Sequence, residues 1–331
     1  MSHFPVTNSN LSAAHLAPFL QQRYALGNDA SCQLIKAGIN DTYLVSGPQY
    51  KMVFRVYSYN WRTRTEINEE IKLLLELKEN GLSISYPIAD AEGHFIQVLP
   101  APEGDRFAVL FSYAPGQKLH SFSTEAHYRI GELMARLHRA TQHQQLQRVT
   151  YTPAVLLVDS LQQVARFLSA GSEEMDFMVA AQQQLLRLFQ QADTAHIRQG
   201  IVHMDVWFDN LNITEQNEVT LFDFDFCGNG WLCLDIAYYI LQLHNVEKYV
   251  AADYQPKMDS FVQGYASITP ISDEERRLLP MLGVSMYFFY LGIQCQRFDN
   301  WSNSFLSENY LKRFVNGLVK RYYDMYELGN L

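Results

Sequence analysis

The stretch IVHMDVWFDNLNITEQNEVTLFDFDFCGNGWLCLDIAY, residues 201–238, decides how the chain is read. It holds His203-x-Asp205 with Asn210 five positions on, then Asp223-Phe224-Asp225, then Leu234-Asp235. Between the first two groups, residues 218–226 alternate apolar and polar side chains, the period of a strand. An extended chain would place Leu221, Asp223 and Asp225 on one face and Phe222, Phe224 and Phe226 on the other. Three rings would anchor the segment in a core while two carboxylates converge on the opposite side. A helix is expected to begin near Asp235.

Working outward, residues 11–26 read as a lead-in helix. Short apolar runs at 32–35, 42–45 and 52–57 have the look of antiparallel strands, with Lys36–Asp41 as a turn between the first two. Ile67, Ile71, Leu74 and Leu77 then recur three or four apart, so a helix is expected over 65–80 with Gly81 as its stop. Two more strands are expected at 94–98 and 107–113, and Ala114-Pro115-Gly116 breaks the sheet. The remainder reads mostly as helix, at 124–141, 154–170, 175–192, 232–244, 258–266 and 273–296. The implied fold class is α+β, a small antiparallel β-sheet lobe followed by a larger helical lobe. The first lobe covers 1–112 (lead-in helix, five strands, one helix), 113–118 form a link, and 119–331 carry the catalytic loop and substrate site. A cleft between two lobes is a common place for a ligand.

Composition narrows the classes. The 331 residues are 48% hydrophobic and 18% charged, with a formal net charge of −9. Phosphate binding on a nucleic acid needs a surplus of Lys and Arg, so no nucleic-acid partner is expected. A negative surface suits a cationic small substrate better than an anionic one. The four cysteines are scattered, without metal spacing, as expected for free thiols in the cytoplasm. The uncharged run Leu278–Cys295 is long enough to suggest a membrane span, but its Gly, Pro, Tyr and Gln content favours a buried helix, so no membrane partner is expected. Oligomeric state leaves no mark on the sequence.

The ordered set of side chains in 201–238 matches the needs of phosphoryl transfer. That reaction requires a carboxylate to orient and take the proton of an attacking hydroxyl, hard oxygen ligands for a magnesium ion, and a cradle for the phosphates of ATP. Asp205 suits the hydroxyl, and Asn210 with Asp223 suits the metal. Asp225 competes with Asp223 or joins it as a second ligand. His203 would orient the loop through backbone bonds and Asp235 would brace it from behind. A metal hydrolase is disfavoured because no second His lies at ligand spacing.

These residues make the chain resemble the aminoglycoside phosphotransferase and choline kinase family, which includes the type II homoserine kinases and has a protein-kinase-like two-lobed fold. The likeness extends over about residues 30–320, and Leu133–His138 resembles the family's helix before the catalytic loop. It implies ATP and Mg2+ as cofactors and a small-molecule hydroxyl as acceptor: an amino alcohol, a homoserine-like or choline-like compound, or an aminoglycoside. It implies catalytic roles for Asp205, His203 and Asn210, and metal ligation by Asn210 and Asp223. In the small lobe, Asn40, Asp41 and Thr42 fall in the phosphate-covering turn. Arg55 stands where the family places a phosphate-contacting Lys, with Glu70, or else Glu66, as its partner. Ser112, Tyr113 and Ala114 fall where such folds hold adenine through backbone groups. Two other readings stay open: a protein serine/threonine kinase, disfavoured by the short segment between Asp225 and Asp235, and a non-catalytic nucleotide binder, suggested only by Arg55.

Overall fold

The computed structural model describes residues 4–119, 121–247, 251–298 and 305–331. They fall into two compact units, one within Met1–Pro115 and one running from Gly116 through Phe298 and on to the C-terminus.

The first unit is a sheet with two helices. Strands β1 (Ser31–Lys36), β2 (Asn40–Gly47), β3 (Tyr50–Tyr57), β4 (Pro87–Ile88), β5 (Ile96–Ala101) and β6 (Gly104–Ser112) form six strands in the order β1-β2-β3-β6-β4, with β5 also on β6. Every pairing is antiparallel. The two-residue β4 is too short to show a period, and no strand was expected there. The strand expected at 94–98 begins later, because Asp90 Oδ1 accepts the N–H groups of Glu92 and His94 and holds them in a turn.

Alternation sorts the two faces of β3. Phe54 and Val56 join Tyr43, Val45, Leu99, Ala108 and Leu110 in a core with Leu16 and Leu20 of helix α1 (Ala13–Arg23). Arg55 and Tyr57 point the other way, toward Glu70 of helix α2 (Arg64–Glu79). That helix starts in a capping box, with Thr63 and Glu66 bonding each other's backbone N–H, worth about 1 kcal/mol. Arg106, fully buried, ties the unit together: its guanidinium reaches Asp41 at 3.0 Å, Ser9 O at 2.6 Å and Tyr57 O at 2.8 Å.

The second unit is mostly helical, as expected. It holds α3 (Thr124–Thr141), α4 (Ser160–Val164), α5 (Glu173–Gln191), α6 (Cys233–Glu247), α7 (Ala251–Ala266), α8 (Asp273–Gln296), α9 (Glu308–Phe314) and α10 (Arg321–Met325). Helices α3 and α7 pack with their backbones close. A Cβ on Gly131 would lie 2.1 Å from Phe261 O, and one on Gly264 would lie 2.0 Å from Tyr128 O, so neither position has room for a side chain. The helix expected over 154–170 is shorter and irregular. Residues Ala154–Asp159 form a wide π turn, and α4 ends at Val164.

Helix α8 is the described helix long and apolar enough to cross a membrane, with a mean hydropathy of 1.5. Its apolar window is 72% buried inside the protein, so its hydrophobicity serves packing. Two small antiparallel ribbons complete the unit: β7 (Gln199–Val202) with β10 (Gly228–Trp231), and β8 (Leu211–Ile213) with β9 (Val219–Leu221). Of these four strands only β9 was foreseen, from the alternation over 218–226; all four are only three or four residues long.

Candidate active site

Strand β7 delivers His203 and Asp205 to a loop held at several points. The carboxylate of Asp235, at the start of α6, accepts the N–H of His203 at 2.8 Å and of Met204 at 2.7 Å. It also lies 3.0 Å from Nε2 of His138 on α3, whose Nδ1 is 2.8 Å from the Tyr265 hydroxyl. Asp235 is therefore the brace expected from its place in the sequence. Burial alone would raise its pKa, but the histidines and backbone donors hold it below the ordinary Asp value.

The loop needs that support, because Met204 sits at φ 69°, a left-handed conformation costly for a residue with a Cβ. His203 works in both directions along the chain. Its Nδ1 accepts the Asp205 N–H at 3.1 Å, which leaves Nε2 as the donor to Phe222 O at 3.2 Å. The loop is thereby tied to the segment that carries Asp223.

Asp205 is half-buried, and four side-chain contacts define it. Oδ1 accepts from the Tyr290 hydroxyl of α8 at 2.6 Å and the Tyr238 hydroxyl of α6 at 2.9 Å. Oδ2 accepts from Asn210 Nδ2 at 2.7 Å, and the same amide nitrogen donates to Asp205 O at 3.0 Å. Desolvation pushes the carboxyl up to about 7; the charge of Asp223 adds to the rise, while the two phenols and Asn210 oppose it. Because both amide hydrogens of Asn210 go to Asp205, its amide oxygen remains as a hard acceptor. That oxygen and the Asp223 carboxylate, whose charge reaches Asp205, are hard oxygen groups of the kind that could hold a magnesium ion.

The expected strand through Asp223 and Asp225 is not there. β9 ends at Leu221, Asp223 turns to φ 67°, and Phe224–Phe226 coil into a single 3-10 turn. The two aspartates therefore do not share a strand face. The cause lies in the backbone bonds: Phe222 O goes to His203, Asp225 O to Arg148, and Phe226 O to the Tyr151 hydroxyl at 2.6 Å. Asp225 itself is buried.

In the first unit, Arg55 donates to Glu70 at 2.8 Å, and Glu70 also accepts from the Tyr57 hydroxyl at 3.1 Å. Glu66 is occupied by its cap on Thr63 and Glu69 by Lys72, which decides between the candidate partners. The Arg55 guanidinium also lies over the Phe111 ring, 4.8 Å from its centroid. Thr42 is the cross-strand neighbour of Arg55 on the same face of the sheet.

Two of the residues expected at the nucleotide have other work. Asp41 is buried against Arg106 and Asn10, so its carboxylate holds the unit together. Ser112 has its N–H on Tyr86 O, its carbonyl on Ser85 Oγ at 2.6 Å and its hydroxyl on Tyr86 N at 3.0 Å. Its N–H is committed to Tyr86, while its carbonyl, with two lone pairs, has room for a second donor. Asn40 Oδ1 accepts the Ser58 N–H at 3.3 Å, the Tyr113 ring sits under Lys51, and Ala114 is buried.

Tyr238 and Tyr290 are the side chains at this site that sequence reasoning did not assign. Tyr290 falls in the stripe Tyr287, Tyr290, Gln294, Arg297 and Trp301, a pattern more often packing than binding. Tyr287 bonds Asn245, Gln294 bonds Tyr310, and Trp301 lies outside the described residues.

A model of the phosphotransferase enzyme family matches residues 31–270. An uncharacterised protein of Synechocystis is 30% identical over 95% of this chain and 87% of its own length. A homoserine kinase of Methylobacillus glycogenes is 26% identical, covering 81% of this chain and 80% of its own. Among solved structures, an amicoumacin kinase in complex with AMP-PNP, Ca2+ and amicoumacin superposes with a TM-score of 0.76 at 19% identity, over 94% of each chain. A microcompartment-associated aminopropanol kinase superposes with a TM-score of 0.75 at 21% identity, over 95% of this chain and 99% of its own. At such identities these two structures speak to the fold, and the fold is the kinase-like one expected from the motifs.

Proposed function

The chain belongs to the phosphotransferase enzyme family, and from that premise we propose that it moves the γ-phosphoryl group of ATP to a hydroxyl of a small, amine-bearing molecule. The observation that carries this is the environment of Asp205. Its carboxylate is held by three side-chain donors, with one oxygen, Oδ2, bonded to a single donor and so open to a further hydrogen.

In the proposed step, Oδ2 accepts the proton of the acceptor hydroxyl. The hydroxyl oxygen bonds to the γ-phosphorus as the bond from that phosphorus to the β,γ-bridging oxygen breaks, and ADP leaves with that electron pair. Asn210 and Asp223 would hold Mg2+, which when bound neutralises charge on the phosphates. Arg55, fixed by Glu70, supplies a planar guanidinium suited to a phosphate. Similarity to a homoserine kinase and an aminopropanol kinase supports an amine-bearing alcohol as acceptor, and the net charge of −9 favours a cationic one. Four free thiols suit a cytoplasmic setting.

The test is ADP release with magnesium present, measured across amino alcohols, sugars and aminoglycosides, for the wild type and Asp205→Asn. The variant should lose about 10²–10⁴-fold in turnover while melting as the wild type does. Undiminished transfer by Asp205→Asn would remove Asp205 from the proposed role.

A further inference from the structure

Two tyrosines from helices far apart in sequence converge on one oxygen of Asp205. Tyr238 lies on α6 and Tyr290 on α8, 52 positions later, and their rings stack with centroids 5.1 Å apart and planes 15° from parallel. Each hydroxyl donates to Oδ1, at 2.9 Å and 2.6 Å. A carboxylate oxygen has two lone pairs, so two O–H donors fill it. The other oxygen carries only the Asn210 amide. The Tyr290 hydroxyl also lies 2.9 Å from Met204 O, beside the strained residue that precedes Asp205.

We infer that Tyr238 and Tyr290 are positioning residues. By saturating Oδ1 they lock the Asp205 rotamer and leave Oδ2, on the Asn210 side, as the one atom that can take the acceptor hydroxyl's proton. The inference rests on Asp205 being the proton acceptor. It adds that the acceptor must approach beside Asn210, and that the selection is made by two phenol hydroxyls rather than by the rings that carry them. Packing alone does not explain the hydroxyls. The stacked rings, together with Phe226 and Phe289 edge-on around Tyr290, would bury as well as phenylalanines, and buried hydroxyls cost free energy unless they find a partner.

The test is Tyr238→Phe, Tyr290→Phe and the double variant, which keep the rings and delete the hydroxyls. Steady-state rates are measured with ATP and the best acceptor found for the wild type. Each single change should lower kcat about tenfold and the double change more, with KM for ATP unchanged and melting within a few degrees of wild type. A merely structural role would move melting and both KM values and would spare kcat at saturation. A double variant with kcat within about twofold of wild type overturns the inference.

Absence of phosphoryl transfer by the wild-type protein would count against the proposed function. A crystal structure of Tyr238→Phe/Tyr290→Phe would then decide the inference separately. Asp205 turned to a new rotamer supports the lock, and Asp205 left in place overturns it.

Discussion

The Asp235 carboxylate accepts the backbone N–H of Met204 at 2.7 Å, and through that bond a residue at the end of one motif fixes a left-handed turn 31 positions earlier. The bond explains how a short loop keeps a strained residue next to Asp205. The same carboxylate holds the N–H of His203 and faces His138.

Replacing Asp235 with Ala should therefore cost more than one hydrogen bond. It strands two backbone donors and a histidine in a fully buried place, a loss of about 3–5 kcal/mol. Asp235→Asn keeps an acceptor and should cost less in stability while still lowering kcat, because one amide oxygen cannot serve all three donors. Urea unfolding and turnover on the two variants check this. Equal stability of Asp235→Ala and wild type would contradict the brace.

Glu70→Gln tests the first unit in the same way. Arg55 would keep its charge but lose its fixed partner, so KM for ATP should rise several-fold while kcat changes less. Glu66→Ala, which removes the return bond to Thr63 and the Arg62 ion pair at 3.7 Å, should cost about 1 kcal/mol of stability and leave KM for ATP as it was. Titration of ATP binding by fluorescence or calorimetry separates the two. An unchanged affinity in Glu70→Gln would count against a phosphate role for Arg55.

Much of this was legible from residue spacing, and the exceptions have physical causes. Helices α3 and α8 run over the expected residues, 124–141 and 273–296, because their caps Ser123 and Ser272 sit directly before a sustained apolar period. His203, Asp205 and Asn210 are local to one loop, so their spacing carries their geometry. The Tyr238–Tyr290 convergence was not legible, since nothing in either helix marks one tyrosine among several as the one aimed at a carboxylate. Asp41 was drawn to the nucleotide by its place in a turn, yet it faces Arg106, 65 positions away, and no local pattern announces that pair. The alternation around Asp223 misled for a different reason. Side chains of other segments capture its carbonyls, and a strand needs those carbonyls for a ladder.

The Asp41–Arg106 pair gives a prediction about stability alone. Arg106 is almost fully buried, with Glu103 3.6 Å from Nη1 and Asp41 at 3.0 Å from Nη2. Asp41→Ala should destabilise by about 3 kcal/mol or more, because a buried guanidinium is left with poorer compensation. Asp41→Ala with Arg106→Met should recover part of that loss, although the bonds from Arg106 to Ser9, Val56 and Tyr57 carbonyls go too. Chemical denaturation of the three variants completes the cycle. A double variant that only sums the two single losses would show no coupling between the residues.

His127 sets an acid limit on the second unit. It is buried on α3, with Nδ1 on the Tyr239 hydroxyl at 2.7 Å and Nε2 without a hydrogen-bond partner. Desolvation, with help from Lys257, depresses its pKa to about 4, while Glu247 opposes the shift. A histidine whose folded pKa lies below its unfolded value of 6.5 is protonated more readily when unfolded. Its stabilising contribution is complete above pH 6.5 and is lost as pH falls from there toward 4. The full loss is about 3–4 kcal/mol, since each pKa unit corresponds to about 1.4 kcal/mol. His127→Gln removes the titration and retains a polar side chain for Tyr239. It should be the less stable protein at pH 7.5, and the gap to wild type should close or invert by pH 4.5. Melting temperatures of the two proteins across that range decide the matter, and curves that stay parallel from pH 7.5 to 4.5 would mean that His127 does not titrate between its folded and unfolded values.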